Sequence, residues 1–356
     1  MLGCYALSRL VVAAGLWATV AVRHRSLGFA LRRWDARWYV WVAAHGYPRS
    51  IHRVVYDYQS PHSFFPLFPL LIRMLRPVGG GSLLASALVL NLVLGAAFAL
   101  AGRAVFAEVV PPDDATRGAI LLTLFPGSFV LSLAYSEALA LTLAALALLA
   151  LFRRRWLVAG VAGALATATR PNMVVLVAAG TVAAVMQYRQ GLRPWKALLA
   201  PLLTLAGVGL YVVYLRIHTG YWDAWQRAET GFGQRRDLLT GFFRRLPHQL
   251  QLAFTGDHAN YTVYLASLVA LVVLLLLALR PPIHPLLMAY CLGLAALSVS
   301  YSAVNARPRF LLAAFPLVLG YSRRLGPRAT VVVGVLSAVG LAATTYMYLG
   351  SRHVVP

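Results

Sequence analysis

Acidic residues are what this chain has least of: ten in 356 positions, against 32 basic ones, of which Lys196 is the single lysine. Each carboxylate in such a chain therefore needs a reason. Cysteine is almost as scarce. Cys4 and Cys291 both fall in apolar stretches, which excludes a disulfide framework and a thiolate metal site. There is no Asp-x-Asp pair, no phosphate-binding P-loop, no dinucleotide fingerprint and no His/Cys cluster. Asp113 and Asp114 sit together in a short loop away from the other acids. A metal-dependent enzyme using a nucleotide-sugar is thus disfavoured, and neither a metal nor another cofactor is expected.

Long hydrophobic runs are what the chain has instead. Hydrophobic residues make up 60% of it and the mean hydropathy is +0.72, too apolar for a soluble domain, whose apolar share is about half. The reading is an all-α polytopic membrane protein. Apolar runs at 5–22, 82–107, 118–135, 137–152, 156–169, 172–187, 197–216, 260–279, 286–302, 310–321 and 329–349 predict about eleven transmembrane helices. The runs at 156–169 and 310–321 are short for a crossing. Arg23, His24 and Arg25 follow the first run, and no basic segment precedes it, so it reads as a span and not as a cleaved leader. The expectation is one integral-membrane domain over 1–356 with two long loops, 23–80 and 217–258.

The formal charge of +22 would suggest nucleic acid in a soluble protein. Here the arginines lie in membrane-flanking loops, so lipid headgroups and lipid phosphates are the expected partners and nucleic acid is not. Three short loops are basic: Arg153 to Arg155; Arg189, Arg193 and Lys196; and Arg323, Arg324 and Arg328. By the positive-inside rule these face the cytoplasm, and an even number of spans separates each from the next. The first loop, the turn at Tyr135 to Glu137, Arg170 with Pro171, the 217–258 loop and the segment from Asn305 to Arg309 then share the exterior face.

Several of those segments carry chemistry. In WDARWYVWVAAHGY, Asp35 stands among Trp34, Trp38, Tyr39 and Trp41 and beside Arg32, Arg33 and Arg37. Aromatic burial raises a carboxylate pKa and arginines lower it, a balance that suits a general base. A structural acid paired with its own arginine neighbours fits the composition as well. HSFFPLFPLLIRML, from His62, is too short to span and reads as an interfacial or re-entrant piece. It either floors a lipid-binding cleft or simply connects, and His62 either meets a phosphate or reaches water.

Glu137, after Tyr135 and Ser136, sits near bilayer depth, where an unpaired acid costs roughly 2.5 to 3.5 kcal/mol on insertion scales. It faces a polar cavity and orients a partner there, or it sits in a first helical turn that Ser136 caps. Arg170 in ATATRPNMVV, and Arg307 and Arg309 in NARPRFLLAAFP, are arginines in apolar surroundings. Converging, they would clamp a phosphate; apart, they are headgroup contacts at helix ends. The 217–258 loop, with Trp222, Trp225, Phe232, Asp223, Glu229, Asp237 and Asp257, either covers an acceptor site or is an ordinary solvated loop.

Taken together, WDARWYVWVAAHGY, SFFPLFPLL, FPGSFVLSLAYSEALAL, TRPN and RPRFLLAAFPLVL resemble, in order and spacing, the PIG-V-like mannosyltransferases that add the second mannose of GPI anchors, and their bacterial relatives. The first motif of that family reads Trp-Asp-x-x-Trp-Tyr followed by Ala and Gly-Tyr, which Trp34, Asp35, Trp38, Tyr39, Ala43, Gly46 and Tyr47 match. The resemblance implies a GT-C glycosyltransferase fold, catalysis on the non-cytoplasmic face, a polyprenyl-phosphate mannose donor, and Asp35 as the catalytic base. With it, Arg37, Arg170, Arg307 and Arg309 are the expected donor-phosphate ligands, and Trp34, Trp38, Tyr39, His62, Tyr135 and Glu137 the expected substrate cavity. The acceptor is a glycan or glycolipid; a bacterial plasma membrane is the expected location, with an envelope glycan more plausible there than a GPI precursor. The competing reading is a flippase or transporter for lipid-linked sugars, which would distribute charged sites through the membrane depth and on both faces.

Overall fold

The structure, a computed structural model, describes residues 1–51, 59–192, 195–232, 240–255, 259–300 and 307–350; Arg193, Asp237, Asp257 and Asn305 lie outside them. Regular structure among the described residues is helical. Among the described residues, six helices have the length and apolarity to cross a bilayer: Leu2–Arg23, Leu83–Ala107, Pro171–Arg189, Trp195–Thr219, Tyr261–Leu279 and Pro327–Gly350. A seventh candidate is the pair Pro112–Leu124 and Pro126–Ser132, bent by 73°. Three shorter apolar helices, Glu137–Phe152, Trp156–Thr169 and Pro285–Val299, complete the set. The expected span at 310–321 is instead cut into Pro308–Ala313, Phe315–Leu317 and Val318–Ser322. Pro316 has no N–H to continue the first piece, so the helix breaks there inside the protein.

Glu137–Phe152 is the centre of the bundle. Alanine and leucine on every side give it no polar face, and twelve of its sixteen residues are buried, as expected for a helix enclosed by others. It is about 24 Å long. Trp156–Thr169 returns alongside and packs tightly on Leu199–Thr219. Glycines set that closeness: a Cβ at Gly207 would run into the Ala164 carbonyl, and Thr167 Oγ1 donates to the Thr204 carbonyl at 2.7 Å.

The first helix, Leu2–Arg23, packs on the last, Pro327–Gly350, and inserts a buried arginine into the bend at Phe125 and Pro126. Arg9 donates from Nη1 to the Ser128 carbonyl at 2.7 Å and to Ser132 Oγ at 3.0 Å, and from Nη2 to the Thr123 carbonyl at 3.2 Å and to Ser128 Oγ at 2.9 Å. A bent helix pair leaves carbonyls without intrahelical partners, and one guanidinium supplies the missing donors.

At the far end of Glu137–Phe152 the basic loops meet. Arg153 Nε donates to Glu108 Oε1 at 3.0 Å, Arg154 Nη2 to Gln190 Oε1 at 3.4 Å, and Arg323 to the Pro281 carbonyl. The near end, where Glu137 begins the helix, holds the remaining motifs.

Candidate active site

Asp35 is the first residue of the helix Asp35–His45, where a negative charge is favoured by the helix dipole. Its position is fixed by the residue before it. Trp34 has φ 53°, a left-handed backbone that a bulky residue adopts only under constraint. The constraint is the end of the last helix: Trp34 Nε1 donates to the Tyr348 carbonyl at 3.2 Å, and Arg33 Nη1 to the Leu349 carbonyl at 3.1 Å. These are last-turn carbonyls, which need donors from outside their own helix.

Asp35 opens a row of alternating charges. Arg309 Nη1 donates to Asp35 Oδ2 at 2.5 Å and lies 3.4 Å from Glu137 Oε1; Arg170 Nη1 reaches the same Glu137 oxygen at 2.9 Å. Arg170 Nη1 also donates to Ser136 Oγ at 3.1 Å, and Ser136 Oγ is hydrogen-bonded to Tyr39 OH at 2.6 Å. Ser136 makes no side-chain capping bond; its hydroxyl is taken up by the site. Asn91, from Leu83–Ala107, donates to the Leu133 carbonyl and to the Tyr135 carbonyl at 2.7 Å, pinning the turn that delivers Glu137.

Asp35, Arg309 and Arg170 form one wall of a cavity of about 380 Å³. From the first motif Trp34, Asp35, Arg37, Trp38 and Tyr39 line it; Arg170, Arg307 and Arg309 do so from later segments. Phe64 stacks on Trp38 with centroids 5.6 Å apart, and Phe232 meets both edge-on. Among the lining side chains four arginines face two acids, Asp35 and Glu229. The cavity is positive, aromatic on one side, and suited to an anion attached to an apolar or sugar group.

Three expected cavity residues stand elsewhere. Glu137 lies behind Arg309 with only 4% of its side chain exposed. Tyr135 is buried under the Arg309 guanidinium, 5.8 Å from ring centroid to carbon. His62 is enclosed away from the cavity: its ring nitrogens sit 2.7 Å from Ser60 Oγ and 2.9 Å from the Pro48 carbonyl, and its carbonyl accepts from Tyr211 OH at 2.9 Å. Burial lowers its pKa, so the ring is neutral and structural. Sequence reasoning did not single out Asn91, Ser63, Gln59, Asn172 or Ser298. The last four line the cavity; Asn91, a lone amide in an apolar helix, is the one with a sequence signal. Of the 217–258 loop, the helix Ala224–Thr230 contributes Trp225 and Glu229 to the far wall. Among the described residues no three His, Cys, Asp or Glu side chains are grouped to hold a metal.

Burial would raise the Asp35 pKa, but Arg309 foremost, with Arg170 and Arg307, more than offsets this and holds the carboxyl below its ordinary value. Burial keeps Tyr39 protonated far above the ordinary phenol range, so its hydroxyl serves as a fixed dipole and not as a base.

Comparison with known proteins adds the lineage. Residues 5–224 match the family model described as Mannosyltransferase (PIG-V). The GPI alpha-1,6-mannosyltransferase 2 of Mus musculus is 34% identical over 155 residues, which is 41% of this chain and 30% of the mouse protein. Its counterparts in Cricetulus griseus and Rattus norvegicus are 34% identical over 157 residues each. The matched stretch thus spans about 30% of the length of these relatives. A crystal structure of the Archaeoglobus fulgidus oligosaccharyltransferase superposes with a TM-score of 0.46 at 13% identity, over 98% of this chain and 56% of that one. With the family model covering more than half of its length, this chain belongs to the PIG-V mannosyltransferase family.

Proposed function

We propose that this protein is an inverting, GT-C-type membrane mannosyltransferase that moves mannose from a polyprenyl-phosphate donor to a glycan or glycolipid hydroxyl on the non-cytoplasmic face of a bacterial plasma membrane. The observation that carries the reading is the wall on which Asp35, Arg309 and Arg170 stand together over a positive cavity. The acceptor O–H gives its proton to Asp35 as its oxygen attacks the anomeric carbon. The carbon–oxygen bond to phosphate breaks on the opposite side, and its electron pair leaves on the phosphate, so the sugar is inverted. A poor leaving group would need a second carboxyl acid. A lipid phosphate leaves as an anion and needs positive charge, which Arg309, Arg170, Arg307 and Arg37 supply from the cavity wall. Those arginines are also the ground for proposing a metal-independent reaction. The exterior placement rests on the separation of the ends: the three basic loops lie at the end of Glu137–Phe152 away from the cavity.

The test is transfer of radiolabelled mannose from synthetic polyprenyl-phosphate mannose to lipid extract by the purified protein, with and without EDTA. Loss of a general base lowers turnover by about 10²- to 10⁴-fold, and Asp35→Asn, near-isosteric, should do so without unfolding the protein. EDTA should leave the rate unchanged. No transfer by the wild type, together with labelled lipid crossing vesicles, would replace the transferase by a flippase.

A further inference from the structure

The Arg309 ion pair is built unlike a lock. A fixed arginine–carboxylate pair uses two parallel N–H···O bonds. Here a single nitrogen, Nη1, is divided between Asp35 at 2.5 Å and Glu137 at 3.4 Å, while the buried Nε has no partner among the described residues. Glu137 in turn uses one oxygen for both arginines and leaves its buried Oε2 without a partner. Arg309 also lines the cavity, and the segment that carries it is a helix of six residues, Pro308–Ala313. The guanidinium at the cavity wall has an unused donor, and Glu137 has an unused acceptor behind it.

We propose that Arg309 is shared in turn between Asp35 and the phosphodiester of the donor, pivoting on Glu137, so that arrival of the phosphate removes the cation from Asp35 and leaves the carboxylate free to take the acceptor proton. This rests on the reading of the cavity as a lipid-phosphate site. Glu137 is then a positioning residue that keeps Arg309 in the wall in both states. With Arg309 on Asp35 the carboxylate is a weak base. Once Arg309 is drawn away, burial in the aromatic wall is opposed only by Arg170 and Arg307, and its basicity rises. The other groups facing Asp35 are Tyr39 on its own helix and Tyr135 with Glu137 behind Arg309. Both phenols stay protonated throughout. Glu137 is the other carboxylate in the row, and Asp35→Asn separates the two.

The sign follows from linkage. If Asp35 binds protons more tightly in the complex, ligand binding takes up protons at pH values between the resting and the raised pKa, and affinity falls as pH rises through that window. The probe is a short-chain isoprenyl methyl phosphodiester, which keeps one charge and contributes no proton of its own. Titration calorimetry of the full-length protein near pH 5, in buffers of different ionisation heat, reads the uptake. The expected result is uptake by the wild type that Asp35→Asn loses. Binding with the same proton count in both would overturn the sharing and leave the phosphate reading standing; no binding by either would overturn both. In the transfer assay Glu137→Gln should lower kcat by roughly 10- to 100-fold, the range of a misplaced catalytic group, with Glu137→Asp recovering part of it. A Glu137→Gln protein with wild-type kcat and donor KM would remove the pivot. If that variant does not fold, the wild type and Asp35→Asn decide alone.

Discussion

Arg9 shows what one buried charge does when no acid is near. Its partners are two carbonyls and the hydroxyls of Ser8, Ser128 and Ser132, gathered at the bend between Pro112–Leu124 and Pro126–Ser132. Each polar group left unmet after its removal costs about 1–3 kcal/mol. Arg9→Leu should therefore lower the thermal midpoint in detergent by several degrees and reduce folded yield, whereas Arg73→Leu, at an exposed site, should not. Nothing in the sequence around Arg9 distinguishes it from an arginine that reaches the headgroups, because its partners are carbonyls more than a hundred residues away. Asp35 was legible for the opposite reason: its neighbours Trp34, Trp38 and Tyr39 are adjacent in the chain and form a specific motif. Arg170 and Arg309 were legible as cations in need of counter-ions, but not as the two cations of a single glutamate.

The helices were legible because apolar runs mark them directly, and all but one of the expected runs is a helix or a bent pair near the expected limits. The exception, 310–321, shows where composition misleads: an apolar stretch buried in protein reads like one buried in lipid, and only Pro316 hints at the break. What the runs do not reveal is how closely the pieces meet. Gly127, in Pro126–Ser132, is the point where that segment touches the helix that carries Arg309; a Cβ there would run into the Pro308 carbonyl. Backbone cannot yield as a side chain can, so Gly127→Val should push Pro308 and Arg309 off the wall. The expected outcome is a protein that elutes normally on size exclusion but transfers mannose at least 10-fold more slowly, on the scale of a misplaced catalytic group. Gly28→Val, with open space around it, is the control.

Across the whole molecule the charges are sorted by end. Arg153, Arg154 and Arg323 meet at one, the cavity lies at the other, and Glu137–Phe152 joins them. The parity of the basic loops implied this sorting without any geometry, since span number and charge are both local to the sequence. Cysteine labelling checks it in membrane terms. In intact cells an impermeant maleimide should react with His45→Cys, at the exposed end of the Asp35 helix, and with Arg155→Cys only after permeabilisation; the reverse pattern would turn the protein over. The family match ends at residue 224, yet the site takes Arg307 and Arg309 from beyond it and the carbonyls of Tyr348 and Leu349 from the last helix. That last contact bears on biogenesis. As the chain leaves the ribosome, Trp34 and Asp35 enter the membrane early and wait for partners still to be synthesised. Asp35 takes its place only when the helix Pro327–Gly350 has been inserted, so under the proposed mechanism a chain abandoned partway has no working catalyst to release into the bilayer.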